Sequence, residues 1–246
     1  MSKAKCLIGV ALLYSLVSCT SGKNAKIKHI HIPQQQKKVE KAPEVPQPIK
    51  PVYKKEPYPS CLDEIVAVSG EYVAVVDKQN FLLYVFEYTF LGHNLSGWKQ
   101  RARFPVATGR NPGDKFYEGD GRTPEGNYKI EMKMTTYIDD PHYSPYLVAL
   151  NNISIAPSSR SKNIGFFNAF GTYAFLLNYP NDNDIKLGKT GGNIMVHEIR
   201  DESLLGSRAT NGCISLSKKH MQELYSLMRV NSKILIRPNL YWKNLP

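Results

Sequence analysis

The stretch VHEIRDESLLGSRATNGCISLSKKHMQELY, Val196–Tyr225, holds one histidine at the end of an apolar run and one cysteine in a Gly-Cys turn. His197 closes the strand-like NIMVH, so a rigid element can aim its imidazole. Cys213 follows Gly212, which permits a tight turn and close approach of a substrate, and backbone N–H groups around such a turn can point at a developing oxyanion. A thiol is a weak nucleophile unless something takes its proton, and an imidazole does that. After the cysteine a short apolar strand gives way to a helix. Ser217 is its N-cap, and Met221, Leu224, Tyr225 and Met228 recur at helical spacing as a core-facing stripe.

Upstream, short apolar segments alternate with turn residues. EIVAVS and EYVAVVD flank Ser69-Gly70, and FLLYVFE, RFPVATG, NYKIEMK, YLVALNNISI and YAFLLN follow, with SKILIRP after the helix. All read as strands. The expected fold is one mainly β domain over residues 60–246, a curved β-sandwich with the helix after Cys213 packed on it, and no internal repeat is visible.

Residues 1–59 differ in kind. MSKAK supplies a positive start, and CLIGVALLYSLVS is an apolar run too short to span a bilayer comfortably. It ends in Leu16-Val17-Ser18-Cys19, which resembles the lipobox of bacterial lipoproteins. The implied division is a signal peptide over 1–18, cleavage before Cys19, lipid on that cysteine, and membrane attachment through it. More than one acyl chain anchors stably where a single chain does not. The segment 19–59 is rich in Lys, Gln and Pro and reads as a tether. In extended polyproline form, at about 3.1 Å per residue, it reaches up to roughly 100 Å.

The tether also explains the charge. The formal net charge is +11, but residues 1 to 57 contain eleven Lys and three Glu, which leaves only +3 for the rest. The basicity therefore gives no ground for a nucleic-acid partner. With Cys6 in the signal and Cys19 lipidated, Cys61 and Cys213 are the remaining thiols. Cys61 reads as a small packing residue.

GNIMVHEI followed by RATNGCISLSKKHMQELY resembles the bipartite signature of the L,D-transpeptidase catalytic domain family, a strand ending in His and then Ser or Thr, a variable residue and Gly-Cys. VATGRNPGDKFYEGDGRTPEGNYKI resembles that family's segment ending in Thr-Pro-x-Gly, and LLNYPNDNDIKLGKTGGNIMVH its run before the histidine. The resemblance covers roughly residues 65–236. It implies Cys213 as nucleophile, His197 as base, Thr210 as support for the turn, and the amides of Gly212 and Cys213 as oxyanion donors. It also implies a cysteine-dependent transpeptidase or carboxypeptidase whose partner is the stem peptide of peptidoglycan, at the periplasmic side of the envelope.

Two positions depart from the pattern. Glu198 stands where many members have Gly, and Ser215 stands where an Arg is common, which removes a possible guanidinium contact to a substrate carboxylate. Strand alternation points the Glu198 side chain away from the imidazole, toward solvent or a loop cation such as Arg200. No cofactor or metal is expected: His29 and His31 lie in the tether, His142 stands apart, and TGGN precedes a strand rather than opening a helix. Asp139, Asp140, Asp182 and Asp184 read as turn-forming residues.

Overall fold

The computed structural model describes residues 56–92, 95–153 and 170–244. The expected signal peptide, Cys19, His29, His31 and nearly all of the tether lie outside the described residues. Among the described residues no helix is long and apolar enough to cross a membrane.

The run EYVAVVD is apolar at every position from Val73 to Val76, as a strand buried on both faces should be. It forms β2 (Glu71–Asp77), preceded by a two-residue β1 (Tyr58–Pro59) and followed by the long antiparallel β3 (Leu82–Gly92) and β4 (Leu95–Pro105). Alternation divides β2 between two cores. Val73 and Val75 join Leu62, Phe86 and Trp98 on one side, while Ala74 and Val76 join Phe104, Ile130 and Phe175 on the other.

The chain continues through β5 (Thr108–Gly109), β6 (Gly126–Thr135), helix α1 (Pro145–Ile153), β7 (Tyr173–Leu177), helix α2 (Asp182–Lys186), β8 (Met195–Glu198), β9 (Arg208–Thr210), β10 (Ile214–Leu216), helix α3 (Lys218–Leu227), β11 (Lys233–Arg237) and β12 (Trp242–Lys243). The main sheet has the order β10-β8-β7-β6-β11-β2-β3-β4, and short pairs β5-β9 and β1-β12 stand beside it. Pairing is parallel at β10-β8 and β11-β2 and antiparallel at the other main-sheet neighbours. The architecture is the expected mainly β one, a curled sheet with α3 packed against it.

Helix α3 begins where its sequence signals place it. The Ser217 Oγ accepts from the His220 N–H at 3.2 Å, and Met221, Leu224 and Tyr225 are buried, with Tyr225 stacked on Phe175 at 5.5 Å. Two expected strands are not strands. YLVALNNISI is helical as far as Ile153, because Ser144 caps the Leu147 N–H at 3.2 Å and Pro145 occupies the first turn, where its missing N–H costs nothing. EIVAVS follows a 3-10 turn and pairs with no strand, leaving Val66 and Val68 exposed.

The segment between β5 and β6 contains no helix or strand, yet buried lysines fasten it. Lys78 Nζ donates to the carbonyls of Gly113 and Thr123, both at 2.6 Å, and to Glu125. Lys115 pairs with Asp120 at 3.2 Å, and Lys189 bridges Asp114 at 2.6 Å and Asp184 at 2.9 Å. Asp184 also accepts from the Tyr128 hydroxyl at 3.3 Å and closes a capping box with Asn181 at the start of α2. The carboxylate read from sequence as a turn former is therefore also a buried counter-ion.

Candidate active site

Strands β8 and β10 are parallel neighbours, with Ser215 in register with His197 and Ile214 with Val196. The period of two then turns Ile214, Leu216 and Val196 into the core beneath α3. Cys213, Met195 and His197 face the other side, where Met134, Leu147 and Ala174 pack. The thiol and the imidazole thus share one face of adjacent strands, two residues out of register.

The turn before Cys213 is held from two directions. Thr210 Oγ1 donates to the Cys213 carbonyl at 2.7 Å and accepts from the Gly212 N–H at 3.1 Å. Thr123, fully buried, accepts the Gly109 N–H at 2.8 Å and reaches the same Cys213 carbonyl at 3.5 Å. The Gly212 amide, expected to face an oxyanion, is engaged within the turn and must leave Thr210 to do so. Gly212 has φ +137°, and a Cβ there would meet the Arg122 carbonyl oxygen at 2.8 Å. Gly212→Ala is therefore expected to cost about 1–3 kcal/mol of stability and to slow acylation of Cys213 about 10²-fold through misplacement of the sulfur. A thermal melt and the rate of labelling by an acylating β-lactam check the two effects.

The imidazole is held at both nitrogens. Its Nδ1 lies 2.6 Å from the Glu198 carbonyl oxygen, which can only accept, so Nδ1 carries the hydrogen and Nε2 bears the lone pair. That lone pair faces the Ser215 hydroxyl at 3.2 Å, and the Phe170 ring packs on the imidazole with centroids 4.8 Å apart. Burial pushes the His197 pKa down to about 4, against the opposing pull of the Glu198 carbonyl. Burial also pushes the Cys213 thiol up, against a backbone hydrogen bond from Met195 and the Lys115 ammonium. Both shifts favour a neutral thiol beside a neutral imidazole, so the proton moves during reaction rather than before it.

In this resting arrangement Cys213 Sγ points at the Asn193 carbonyl, 3.8 Å away. Asn193 has positive φ, 55°, and its Oδ1 accepts from the Tyr146 hydroxyl of α1 at 3.4 Å. Sequence reading did not single out Asn193, Tyr146, Phe170 or Thr123. Of these, Thr123 and Asn193 lay in the resembling segments, in Thr-Pro-x-Gly and in GNIMVH. Cys61 is a buried, free thiol in the second core, away from this face, and Cys213 is free as well.

Glu198 corrects an expectation. Its side chain does diverge from the imidazole, but it is buried rather than facing solvent. The carboxylate accepts the Tyr173 N–H at 3.2 Å and lies across Gly171, where any Cβ would come within 2.3 Å of it. Burial raises its pKa, offset in part by backbone N–H groups of Thr172 and Tyr173.

The profile of the YkuD family, the L,D-transpeptidase catalytic domain, matches residues 71–236. The chain belongs to this family. No curated protein sequence matches it. Among solved structures it is similar to Bd1075 from Bdellovibrio bacteriovorus, at 25% identity over 70% of this chain and 49% of the other, with TM-score 0.47. It is similar to the helical cell shape determining protein Pgp2 from Campylobacter jejuni, at 21% identity over 72% and 50%, with TM-score 0.50. An L,D-transpeptidase from Mycobacterium smegmatis matches at 15% identity over 68% and 58%, with TM-score 0.40. The chain spans about half the length of the first two, and the likeness to Pgp2 is one of fold.

Proposed function

We propose that the protein is a cysteine-dependent L,D-transpeptidase of peptidoglycan. Cys213 Sγ attacks the carbonyl that links the L-centre of the third stem residue to the terminal D-alanine. His197 Nε2 takes the thiol proton and passes it to the leaving amine, so D-alanine departs as the thioester forms. An amine of a second stem peptide then resolves the thioester into a cross-link. Water in its place makes the same site an L,D-carboxypeptidase or related amide hydrolase. The supporting observation is the common face of Cys213 and His197 on neighbouring strands, with the imidazole tautomer set so that Nε2 is the acceptor. Lipid on Cys19 and the tether hold the domain at a membrane in this reading, within reach of the wall, with the outer membrane favoured by Thr20.

A reading of another class, a non-catalytic peptidoglycan-binding lipoprotein, draws on the thiol's being turned to Asn193 rather than to the imidazole. Incubating the full-length chain in detergent with purified tetrapeptide muropeptides separates the two. Acylation adds the mass of the muropeptide less D-alanine to Cys213, and the products distinguish cross-linking from hydrolysis. A chain that binds muropeptides without forming that adduct is the binding protein. His197→Gln is expected to slow adduct formation at least about 10²-fold, the usual scale for a general base.

A further inference from the structure

From the sequence, Ser215 counts only as a missing arginine. In the fold it is 1% exposed and stands directly opposite His197 across the β8-β10 pair, with its hydroxyl 3.2 Å from Nε2. Because Nδ1 gives its hydrogen to the Glu198 carbonyl, Nε2 can only accept, and the Ser215 hydroxyl is the donor. We propose that Ser215 is a positioning residue of the site, whose hydroxyl donates to His197 Nε2 at rest and so holds that nitrogen unprotonated, and the ring in place, until the thiol approaches. The proposal rests on the reading of Cys213 and His197 as nucleophile and base.

The proton balance is simple. The hydrogen that leaves Cys213 Sγ arrives on Nε2, and the hydrogen of Ser215 stays on Oγ throughout, swinging away as the thiol approaches. A hydroxyl suits this place because it donates to the neutral ring without adding a charge, whereas a guanidinium would repel the imidazolium. Cys213 lies two positions before Ser215 on the same face, about 6–7 Å back along the strand. Nε2 has one lone pair, so the Ser215 hydrogen must leave it before the thiol's arrives, while the Phe170 ring packs on the imidazole.

A hydrogen bond donated to the neutral form of a base holds its pKa down. Removing it should let His197 rise. The titratable groups near the ring are Cys213, just ahead of β10, and Glu198 beside it on β8, with Lys115 acting on Cys213 and Lys218 of α3 on Glu198. None of them changes in a Ser215 variant.

The test is the ring titration of His197, followed by nitrogen-detected NMR on the full-length chain in detergent, in wild type, Ser215→Ala and Ser215→Thr. Ser215→Ala is expected to raise the His197 pKa by about one pH unit, the worth of one ordinary hydrogen bond. A protonated base cannot take the thiol proton, so the acid limb of Cys213 acylation by muropeptide moves up with it. Below both pKa values the rate falls about tenfold. Ser215→Thr, which keeps the hydroxyl, restores both. Ser215→Cys supplies a weaker donor of similar size, shifts the titration by an intermediate amount, and keeps the question answerable if the alanine variant does not fold.

An unmoved His197 titration in Ser215→Ala and Ser215→Cys overturns the proposal whatever the activity. So does a rate lowered equally at all pH, which is what lost packing alone produces. A shifted titration in a protein that no muropeptide acylates supports the Ser215 pairing and instead overturns the transpeptidase reading.

Discussion

Cys213→Ala is expected to abolish the muropeptide adduct and all release of D-alanine, while moving the unfolding midpoint by only a few degrees. The chemical loss is total because no neighbouring hydroxyl stands ready to replace the thiol. Thr210 Oγ1 is bound to the Cys213 carbonyl, and Ser215 Oγ, although paired with the imidazole, is buried at 1% exposure, out of a substrate's reach. The structural loss is small because the side chain is only half-buried at the edge of the cluster of Met134, Leu147, Ala174 and Met195. Removing one sulfur there should cost about 1 kcal/mol. Mass analysis of the protein and a thermal melt measure the two quantities separately. Turnover by the alanine variant at the wild-type rate would take Cys213 out of the chemistry.

Lys189→Met should do the reverse, with its main effect on stability. The ammonium is 5% exposed and lies between Asp114 and Asp184, and Asp184 is itself buried. Taking away the cation leaves a carboxylate in the interior with only the Tyr128 hydroxyl and the Asn181 N–H to hold it. Breaking a buried pair from one side costs about 3–5 kcal/mol, which for a domain of this size lowers the melting temperature by about 10 °C. Pairing the change with Asp184→Asn should recover part of the loss. Burial alone would lower the Lys189 pKa, but Asp114 and Asp184 outweigh it and raise it above 10.5. The contribution is therefore present at neutral pH and is lost only as pH climbs through that raised value. A melt unchanged from wild type at pH 7 would show that the bridge adds nothing net.

The parts of the fold that were legible in the sequence are those decided locally. Helix α3 has a capping serine and a clean apolar stripe, and β2 has an unbroken apolar run, so each could be read without knowing its neighbours. YLVALNNISI failed because a short apolar run with β-branched residues fits both periodicities. The deciding signal was Ser144-Pro145 just before it, which starts a helix. EIVAVS failed for a different reason: its composition suits a strand, but a strand needs a partner, and no strand pairs with this segment.

The site divides in the same way. Cys213, His197 and Thr210 sit in a contiguous motif. Glu198 looked solvent-facing because alternation says which way a side chain leaves the strand and not what waits there, and the cover comes from Gly171 and Tyr173 on another segment. The buried lysines were invisible for the same cause. Lys78 reaches residues 35 to 47 positions away, and Lys189 finds Asp114 across the fold.

The place of β11 sets a timetable. It is the last strand of the main sheet to be synthesised, yet it sits in the middle, joining β6 on one side to β2 on the other. Until residues 233–237 arrive, the main sheet is two separate halves, and the half that holds Cys213 and His197 is tied to the other by the Ala107–Ser215 bridge and the short β5-β9 pair just beyond β4 rather than by a central strand. A chain interrupted just after α3 carries both Cys213 and His197 and still lacks the strand that joins the two halves. Completion of the sheet around Cys213 and His197 is thus a late event in the folding of the growing polypeptide.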